Sequence, residues 1–146
     1  MEGKRLYCIR GATCTENTRE AIRTAVGSLF AGICAENRFD AADMVSIQFT
    51  MTADLNELNA ATALRTAGTG LDVSAVPLFC AQEPEVNGML TSVIRIMVSV
   101  YMAEGTVLRN VDLNGAEVLR PDFARARTAP AGQPHPAPAG RSPGGQ

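Results

Sequence analysis

The chain has 146 residues, of which 46% are hydrophobic and 19% charged, so it is long and apolar enough for one domain with its own core. Its formal net charge of -2 at pH 7 argues against nucleic acid or an anionic membrane as a partner. Lys4 is the only lysine, and every other basic residue is arginine, the side chain suited to bidentate recognition of carboxylate or phosphate.

The cysteine pattern and the apolar runs indicate a cytoplasmic protein. The four cysteines fit no zinc spacing and no dense disulfide framework, so we expect buried free thiols at Cys8, Cys14, Cys34 and Cys80. No signal peptide is visible. The longest apolar run, Val93 to Met102, is interrupted by a charge and is too short to span a bilayer.

The first half of the chain predicts a strand, a helix and a second strand. Leu6 to Ile9 reads as a strand, and Gly11 after it allows a turn or a close approach to a neighbour. Asn17 is a candidate helix cap, and the helix is expected to run to about Asn37. Its buried stripe is predicted to comprise Ile22, Val26, Leu29, Phe30 and Ile33.

The second half predicts shorter elements. Val45 to Met51 alternates strictly, which indicates a half-buried strand. Gly68 is expected to close a second helix, and Asn87-Gly88 to form a turn. The remaining predicted elements are a helix over Asn59 to Ala67, strands over Ala75 to Gln82 and Ile94 to Met102, and a helical turn followed by a strand within Val111 to Leu119.

This order predicts a small mixed β-sheet of the α/β (α+β) class, with both helices on one face. The helices act as crossovers, and the third and fourth strands are expected to form a hairpin. No further helix is available for the other sheet face, so self-association is expected to cover it. We place the domain at 1–123 and a disordered tail at 124–146, where five of the eight prolines lie.

The residue types exclude several chemistries. The only histidine, His135, lies in the predicted tail, which argues against Ser-His-Asp or Cys-His catalysis and against a His/Cys metal site. No phosphate-binding glycine motif is present, so neither a cofactor nor a metal is predicted. The candidates that remain fit electrostatic binding of a small polyanion, and they are Arg10, Arg65, Arg95, Arg120 and Glu83.

Glu83 and Arg95 are polar groups at the end of one apolar run and inside another. A guanidinium within a strand of branched aliphatic residues is costly unless it is paired. Spacing alone favours a simple ion pair between the two. The alternative is that both line a polar pocket for a charged ligand.

Four motifs, in this order along Leu6 to Phe123, resemble the AroH-type chorismate mutases: Ile9-Arg10-Gly11-Ala12-Thr13, Val76-Pro77-Leu78-Phe79-Cys80-Ala81-Gln82-Glu83, Ile94-Arg95-Ile96-Met97 and Val118-Leu119-Arg120-Pro121-Asp122. The resemblance implies a cofactor-free rearrangement of chorismate to prephenate. It also implies a homotrimer whose sheets pack into a barrel-like core, with active sites at the subunit interfaces. A pocket lined by both Glu83 and Arg95 then becomes the preferred interpretation.

The resemblance also implies roles for individual residues. Arg95 would direct its guanidinium at the ether oxygen, and Arg10 would bind a substrate carboxylate. Glu83 and Cys80 would hold the side of the ring hydroxyl. The other implied substrate-binding positions are the pocket wall at Phe79, Ala81 and Gln82, a neighbouring subunit's Arg65, and the closing residues Leu119 and Arg120.

Three positions depart from the family pattern. Asn59, Thr62 and Asp112 stand where the family usually has phenylalanine, lysine and a tyrosine that reaches the substrate. They are kept as substrate-binding candidates, although an aspartate facing a dicarboxylate would repel it. Two other functions are weighed against the mutase. One is a non-catalytic trimeric protein that binds small carboxylates, and the other is an imine or enamine deaminase with a similar trimeric barrel.

Overall fold

Strands and helices alternate as far as the third strand, and two further strands follow, within residues 3–119, the part of the chain that the computed structural model describes. The elements are β1 (Lys4–Cys14), α1 (Arg19–Glu36), β2 (Met44–Met51), α2 (Ala60–Thr66), β3 (Leu78–Gln82), β4 (Val93–Ala103) and β5 (Val111–Leu113), with short 3-10 helices at Ala41–Asp43 and Ala116–Leu119. The predicted mixed fold class is confirmed. The predicted domain boundary and tail lie outside the described residues.

The five strands form one sheet in the order β3-β2-β4-β1-β5. Strand β4 is antiparallel to both β1 and β2, whereas β3 runs parallel to β2 and β5 runs parallel to β1. Helix α2 is therefore a crossover between adjacent parallel strands, as predicted. Helix α1 joins two parallel strands that lie on either side of β4.

The predicted hairpin between the third and fourth strands is wrong, because β2 lies between β3 and β4. Strand β4 has eleven residues and is mostly aliphatic, so it stabilises the sheet best at the centre, where it pairs along both edges. The short strand β3 is left at the edge. The segment between them crosses over the end of β2.

The predicted order within Val111 to Leu119 is also wrong, since the strand comes first and the helical turn second. Val111 is 1% exposed and pairs with Gly11, which fixes the strand at the start of the segment. Asn114 and Gly115 then adopt φ of 55° and 95°, a left-handed conformation that ends the strand.

The cap of helix α1 is one residue later than predicted. Thr18 is the N-cap, and its hydroxyl accepts a hydrogen bond from the Ala21 amide at 3.1 Å. The Asn17 side chain instead accepts from the amides of Asn56 and Glu57 at 3.0 and 3.1 Å. Asn17 therefore fastens the loop before α2 to the start of α1.

Both helices pack on one face of the sheet and contact each other. The predicted stripe of α1 is confirmed as core, since all five side chains are fully buried: Ile22, Val26, Leu29, Phe30 and Ile33. Burying one such side chain contributes roughly 1.5–3 kcal/mol, so this stripe fixes the helix to the sheet.

The opposite face of the sheet has no covering element among the described residues. Alternation and strand register place these side chains on it: Leu6, Cys8, Arg10, Ser46, Gln48, Thr50, Phe79, Ala81, Arg95, Met97, Ser99 and Tyr101. We call this surface the open face. Phe79 is 64% exposed there and Leu6 45%. All four cysteines are free thiols, but Cys8 is exposed and the other three are only half-buried, which corrects the expectation of buried thiols.

Candidate active site

The strand pattern of β4 presents Arg95 on the open face. Its neighbours Ile94 and Ile96 point into the core and are 0% and 3% exposed, so alternation turns Arg95 outward. Among residues 3–119, no side chain or backbone group accepts a hydrogen bond from the Arg95 guanidinium. Apart from Nε, which lies beside Glu83, its donors remain available to a ligand.

Glu83 is the partner of Arg95. It follows the last residue of β3, and its amide donates to the Met51 carbonyl at 2.8 Å, which keeps the chain beside β2. Its Oε1 lies 3.0 Å from Nε of Arg95. The same oxygen accepts a hydrogen bond from the Thr50 hydroxyl at 2.8 Å. The ion pair favoured by spacing is thus present, and it lies at the edge of a cavity.

That cavity, which we call the Arg95 cleft, has a volume of about 490 Å³. Its lining combines the ion pair with apolar groups, and consists of Thr52, Glu83, Gly88, Met89, Leu90, Val93, Arg95, Val118 and Leu119. A polar pair inside a mostly apolar wall is typical of a small-molecule site. The Gly88 to Leu90 wall was not predicted, because the sequence shows only a turn there.

A smaller cavity of about 40 Å³ lies next to the Arg95 cleft and shares Arg95 and Leu119 with it. Arg10 and Asp112 are on its wall. Two adjacent strands bring them there, since β1 and β5 pair in parallel with Ala12 opposite Asp112. The Arg10 amide donates to Asn110 Oδ1 at 2.8 Å, which extends this pairing.

Asp112 places a carboxylate inside this arginine-lined cavity. Asp112 is only 7% exposed, so protein rather than water surrounds its carboxyl group. The structure thus brings five of the sequence-predicted site residues together around two adjacent cavities: Arg10, Glu83, Arg95, Asp112 and Leu119. Such a cluster can bind a small anion and direct a guanidinium at it.

A second group of predicted site residues lies around helix α2. Asn59 is the N-cap of α2, and its side chain accepts from the Ala61 amide at 2.8 Å. Arg65 and the 68–74 loop line a separate cavity of about 490 Å³. Thr62 lies one helical turn after the cap and is half-buried.

Cys80 belongs to this second group because its side chain points toward the helices. It pairs with Phe49, a core residue, so it lies on the sheet face opposite Arg95. Burial raises the pKa of the Cys80 thiol, and the amides of Ala60 and Ala61 only partly oppose this rise. The thiol is therefore protonated at neutral pH and can act as a hydrogen-bond donor.

The other predicted wall residues occupy the end of β3. Phe79 and Ala81 are on the open face, and Gln82 is the exposed last residue of the strand. Arg120 lies outside the described residues. In one protomer, the predicted set is thus divided between the surroundings of Arg95 and the surroundings of α2.

Residues 3–119 contain neither a clustered metal-binding group nor a membrane-spanning helix. No group of three or more histidine, cysteine, aspartate or glutamate side chains is arranged to hold a metal ion. No helix in this range has the length and apolar composition needed to cross a membrane.

Comparison with known proteins decides the family. Residues 6–123 match the family described as "Chorismate mutase type I". The chain belongs to this family. The resemblance seen in the four sequence motifs is therefore confirmed, and the match includes both helices and all five strands apart from the first two residues of β1.

Curated relatives and a solved structure agree with this family assignment. Chorismate mutase AroH of Bacillus subtilis is 35% identical over 118 residues, covering 80% of this chain and 91% of the relative. Chorismate mutase AroH of Thermus thermophilus is 35% identical over 123 residues, covering 82% and 97%. The structure of a chorismate mutase from Clostridium thermocellum superimposes with a TM-score of 0.68 at 33% identity, covering 77% and 98%.

Proposed function

We propose that this type I chorismate mutase is an isomerase that converts chorismate to prephenate, at a site centred on Arg95. Family membership supports the reaction, and the placement of Arg95 beside Glu83 in a cleft supports the site. This placement is the observation that carries the residue assignment, because it presents a guanidinium that is ion-paired with Glu83 but donates no hydrogen bond to any described residue.

The rearrangement breaks the ether C–O bond while a C–C bond forms between the side chain and the ring. No atom enters or leaves, and negative charge builds on the ether oxygen as that bond stretches. A fixed guanidinium at this oxygen stabilises the transition state more than the ground state. Arg95 fills this role, and Arg10 binds one substrate carboxylate so that the substrate stays in its folded, reactive conformer.

The remaining roles follow from the donors and acceptors of the two groups. Glu83 accepts a hydrogen bond from the ring hydroxyl. The Cys80 thiol belongs to the α2 group, so a neighbouring subunit supplies it to the side of the ring hydroxyl. Leu119, with Arg120, closes the pocket. No proton is transferred in this scheme, so no general base, cofactor or metal is assigned.

The complete site is assigned to a homotrimer. The cluster around Arg95 and the cluster around α2 are separate within one protomer, so a neighbouring subunit supplies Arg65, Asn59 and Thr62 to each cleft. The open face, with Phe79 64% exposed, supports packing of three sheets into a barrel-like core. The protein is assigned to the cytoplasm, with a small-molecule substrate and neither nucleic acid nor membrane as a partner.

The two competing functions are not favoured. A non-catalytic carboxylate-binding trimer has no need of a guanidinium held beside a cleft, and an imine or enamine deaminase is not supported by a match to the chorismate mutase family over residues 6–123. Activity on imines without activity on chorismate would instead favour the deaminase.

The deciding experiment follows the loss of chorismate ultraviolet absorbance and identifies prephenate as the product. Saturable turnover is expected for the wild type and for Arg38→Ala, which removes an exposed arginine far along the chain from the clefts. Arg95→Ala is expected to abolish it. A folded wild type that binds chorismate without converting it would contradict the proposal and favour the non-catalytic binder.

A further inference from the structure

Thr50 lies beneath the ion pair of the proposed site. In the sheet it pairs with Arg95 of β4 on one side and with Ala81 of β3 on the other. Glu83 follows Ala81 by two residues and therefore shares its face of the sheet. Since neighbouring strands are about 4.8 Å apart, the side chains of Glu83 and Arg95 must meet above β2, where Thr50 is the residue they cover.

The Thr50 hydroxyl fixes the orientation of the Glu83 carboxylate, which the ion pair with Arg95 alone does not. Within residues 3–119 it is the only hydrogen-bond donor to the Glu83 carboxylate, at 2.8 Å from Oε1. The Arg95 contact at 3.0 Å brings opposite charges together without a hydrogen bond of good geometry. A hydroxyl that donates to a carboxylate forms a short, charge-assisted bond with a defined angle.

This bond selects which carboxylate oxygen faces Arg95. With Oε1 held by Thr50 and placed beside Nε of Arg95, Oε2 receives no hydrogen bond from any residue in the described range. Within the same range, the terminal nitrogens of Arg95 donate no hydrogen bond to Glu83 either. If the carboxylate rotated, it would form the bidentate pair that guanidinium and carboxylate prefer, and one terminal nitrogen would be lost to the substrate.

We propose that Thr50 is a positioning residue for the rearrangement, whose hydroxyl fixes the Glu83 carboxylate so that Arg95 keeps its terminal nitrogens for the ether oxygen. This inference rests on the proposed mutase function. Thr50 itself touches no reacting atom in this scheme. Its β-branched side chain has few rotamers inside a strand, which makes it a stiff support.

The primary test compares Thr50→Val with Thr50→Ser in steady-state chorismate kinetics. Valine keeps the branched shape and removes the hydroxyl, so kcat is expected to fall about 10- to 100-fold with a smaller change in KM, the range for a hydrogen bond to a charged group. Serine keeps the hydroxyl and is expected to retain kcat within about threefold. Ser46→Ala, on the same strand and face, is the matched control and is expected to behave as wild type.

A double-mutant cycle separates positioning from general damage. If Thr50 acts through Glu83, adding Thr50→Val to Glu83→Ala causes no further loss of the residual kcat. An equal loss in both backgrounds would overturn the inference. So would a Thr50→Val enzyme with wild-type kcat.

A second hydroxyl-free variant and the wild-type assay complete the test. Thr50→Ala removes the hydroxyl without adding apolar bulk, and it is expected to lose kcat as Thr50→Val does. Wild-type kcat in a folded Thr50→Ala enzyme would overturn the inference while leaving the mutase function intact. A wild type without chorismate turnover would instead overturn the proposed function and this inference together.

Discussion

Glu83 and Arg95 form an ion pair that reaches across an intervening strand, with Oε1 and Nε 3.0 Å apart. The Arg95 side chain is 44% exposed, so water screens much of the attraction. Pairs of this kind typically contribute only about 0–1 kcal/mol to stability. The pair is therefore explained better by where it holds the guanidinium than by what it adds to the free energy of unfolding.

The first prediction concerns the charge and the shape of the side chain at position 95. Arg95→Ala is expected to lower kcat/KM by at least about 10³-fold, because it removes the group assigned to the developing negative charge. Arg95→Lys keeps the charge but loses the planar fork, so a loss of about 100-fold or more is expected. Thermal unfolding should be nearly unchanged in both. Near wild-type turnover in Arg95→Lys would exclude the proposed geometry.

Asp112 gives the second prediction, because its buried carboxylate faces the cavity that Arg10 and Arg95 line. The substrate is a dicarboxylate, so a like charge in the wall opposes binding by about 1 kcal/mol in a partly shielded site. Asp112→Asn keeps the shape and removes the charge. Its KM for chorismate is expected to fall about threefold to tenfold, with little change in kcat.

The control for this effect is Asp40→Asn, which removes an exposed aspartate whose side chain makes no capping hydrogen bond. Its KM should equal that of the wild type. A higher KM in Asp112→Asn would mean that the carboxylate helps to hold the arginines for the substrate, which is the opposite of the repulsion argued here.

Local patterns in the sequence predicted most of the helices and strands. They did not predict correctly which strands lie next to each other in the sheet. The stripe from Ile22 to Ile33 identified α1 and its buried face, because helical periodicity is carried within one segment. Which strands pair depends on contacts between distant segments. The sequence shows that β4 is apolar on one face, but nothing within it indicates that β2 rather than β3 is its neighbour.

The site shows the same limit. Arg95 and Glu83 stood out because each is a polar group in or beside an apolar run. Thr50 did not, because the alternation of β2 marks every second residue as outward-facing. Only the register, with Thr50 opposite Arg95, distinguishes it from Gln48 and Ser46. Cys80 was assigned through the resemblance, and its orientation toward α2 could not be inferred from spacing.

The third prediction tests whether the open face is buried in an assembly. Leu6→Arg places a charge on that face, so sedimentation is expected to show dissociation to monomers and chorismate turnover is expected to be lost. Val107→Arg is the matched control, since Val107 is 82% exposed and lies outside the open face. An active wild-type monomer, or an active trimer of Leu6→Arg, would contradict the proposed arrangement.

Thiol labelling at pH 8 gives an independent measure of the same assembly. Cys8 lies on the open face and is exposed in one protomer, so only assembly can cover it. It should therefore react slowly in the assembled wild type and quickly in Leu6→Arg. Cys34 should react slowly in both, because burial raises the pKa of its thiol to about 11 and leaves little thiolate at this pH. Fast labelling of Cys8 in the wild type would show that the open face is not covered.

The last prediction concerns Gly11, which pairs β1 with Val111 of β5. A Cβ at this position would lie 2.6 Å from the Val111 carbonyl oxygen, and also 3.1 Å from a methyl group of Leu29. The carbonyl belongs to the backbone of a paired strand and cannot move without breaking the pairing. Gly11→Ala is therefore expected to destabilise the protein by about 1–3 kcal/mol and to lower Tm by several degrees.

Gly32→Ala is the matched control, because its added methyl group would also contact Val111, but at the side chain and not at the backbone. Its Cβ would lie 3.3 Å from a Val111 side-chain methyl, which can shift, and alanine favours the helix by about 1 kcal/mol. Its Tm should therefore stay close to that of the wild type. Displacement of β5 in Gly11→Ala would also move Asp112, so KM for chorismate should change in Gly11→Ala and not in Gly32→Ala. Equal Tm values for the two variants would show that β5 is not held against β1 as described.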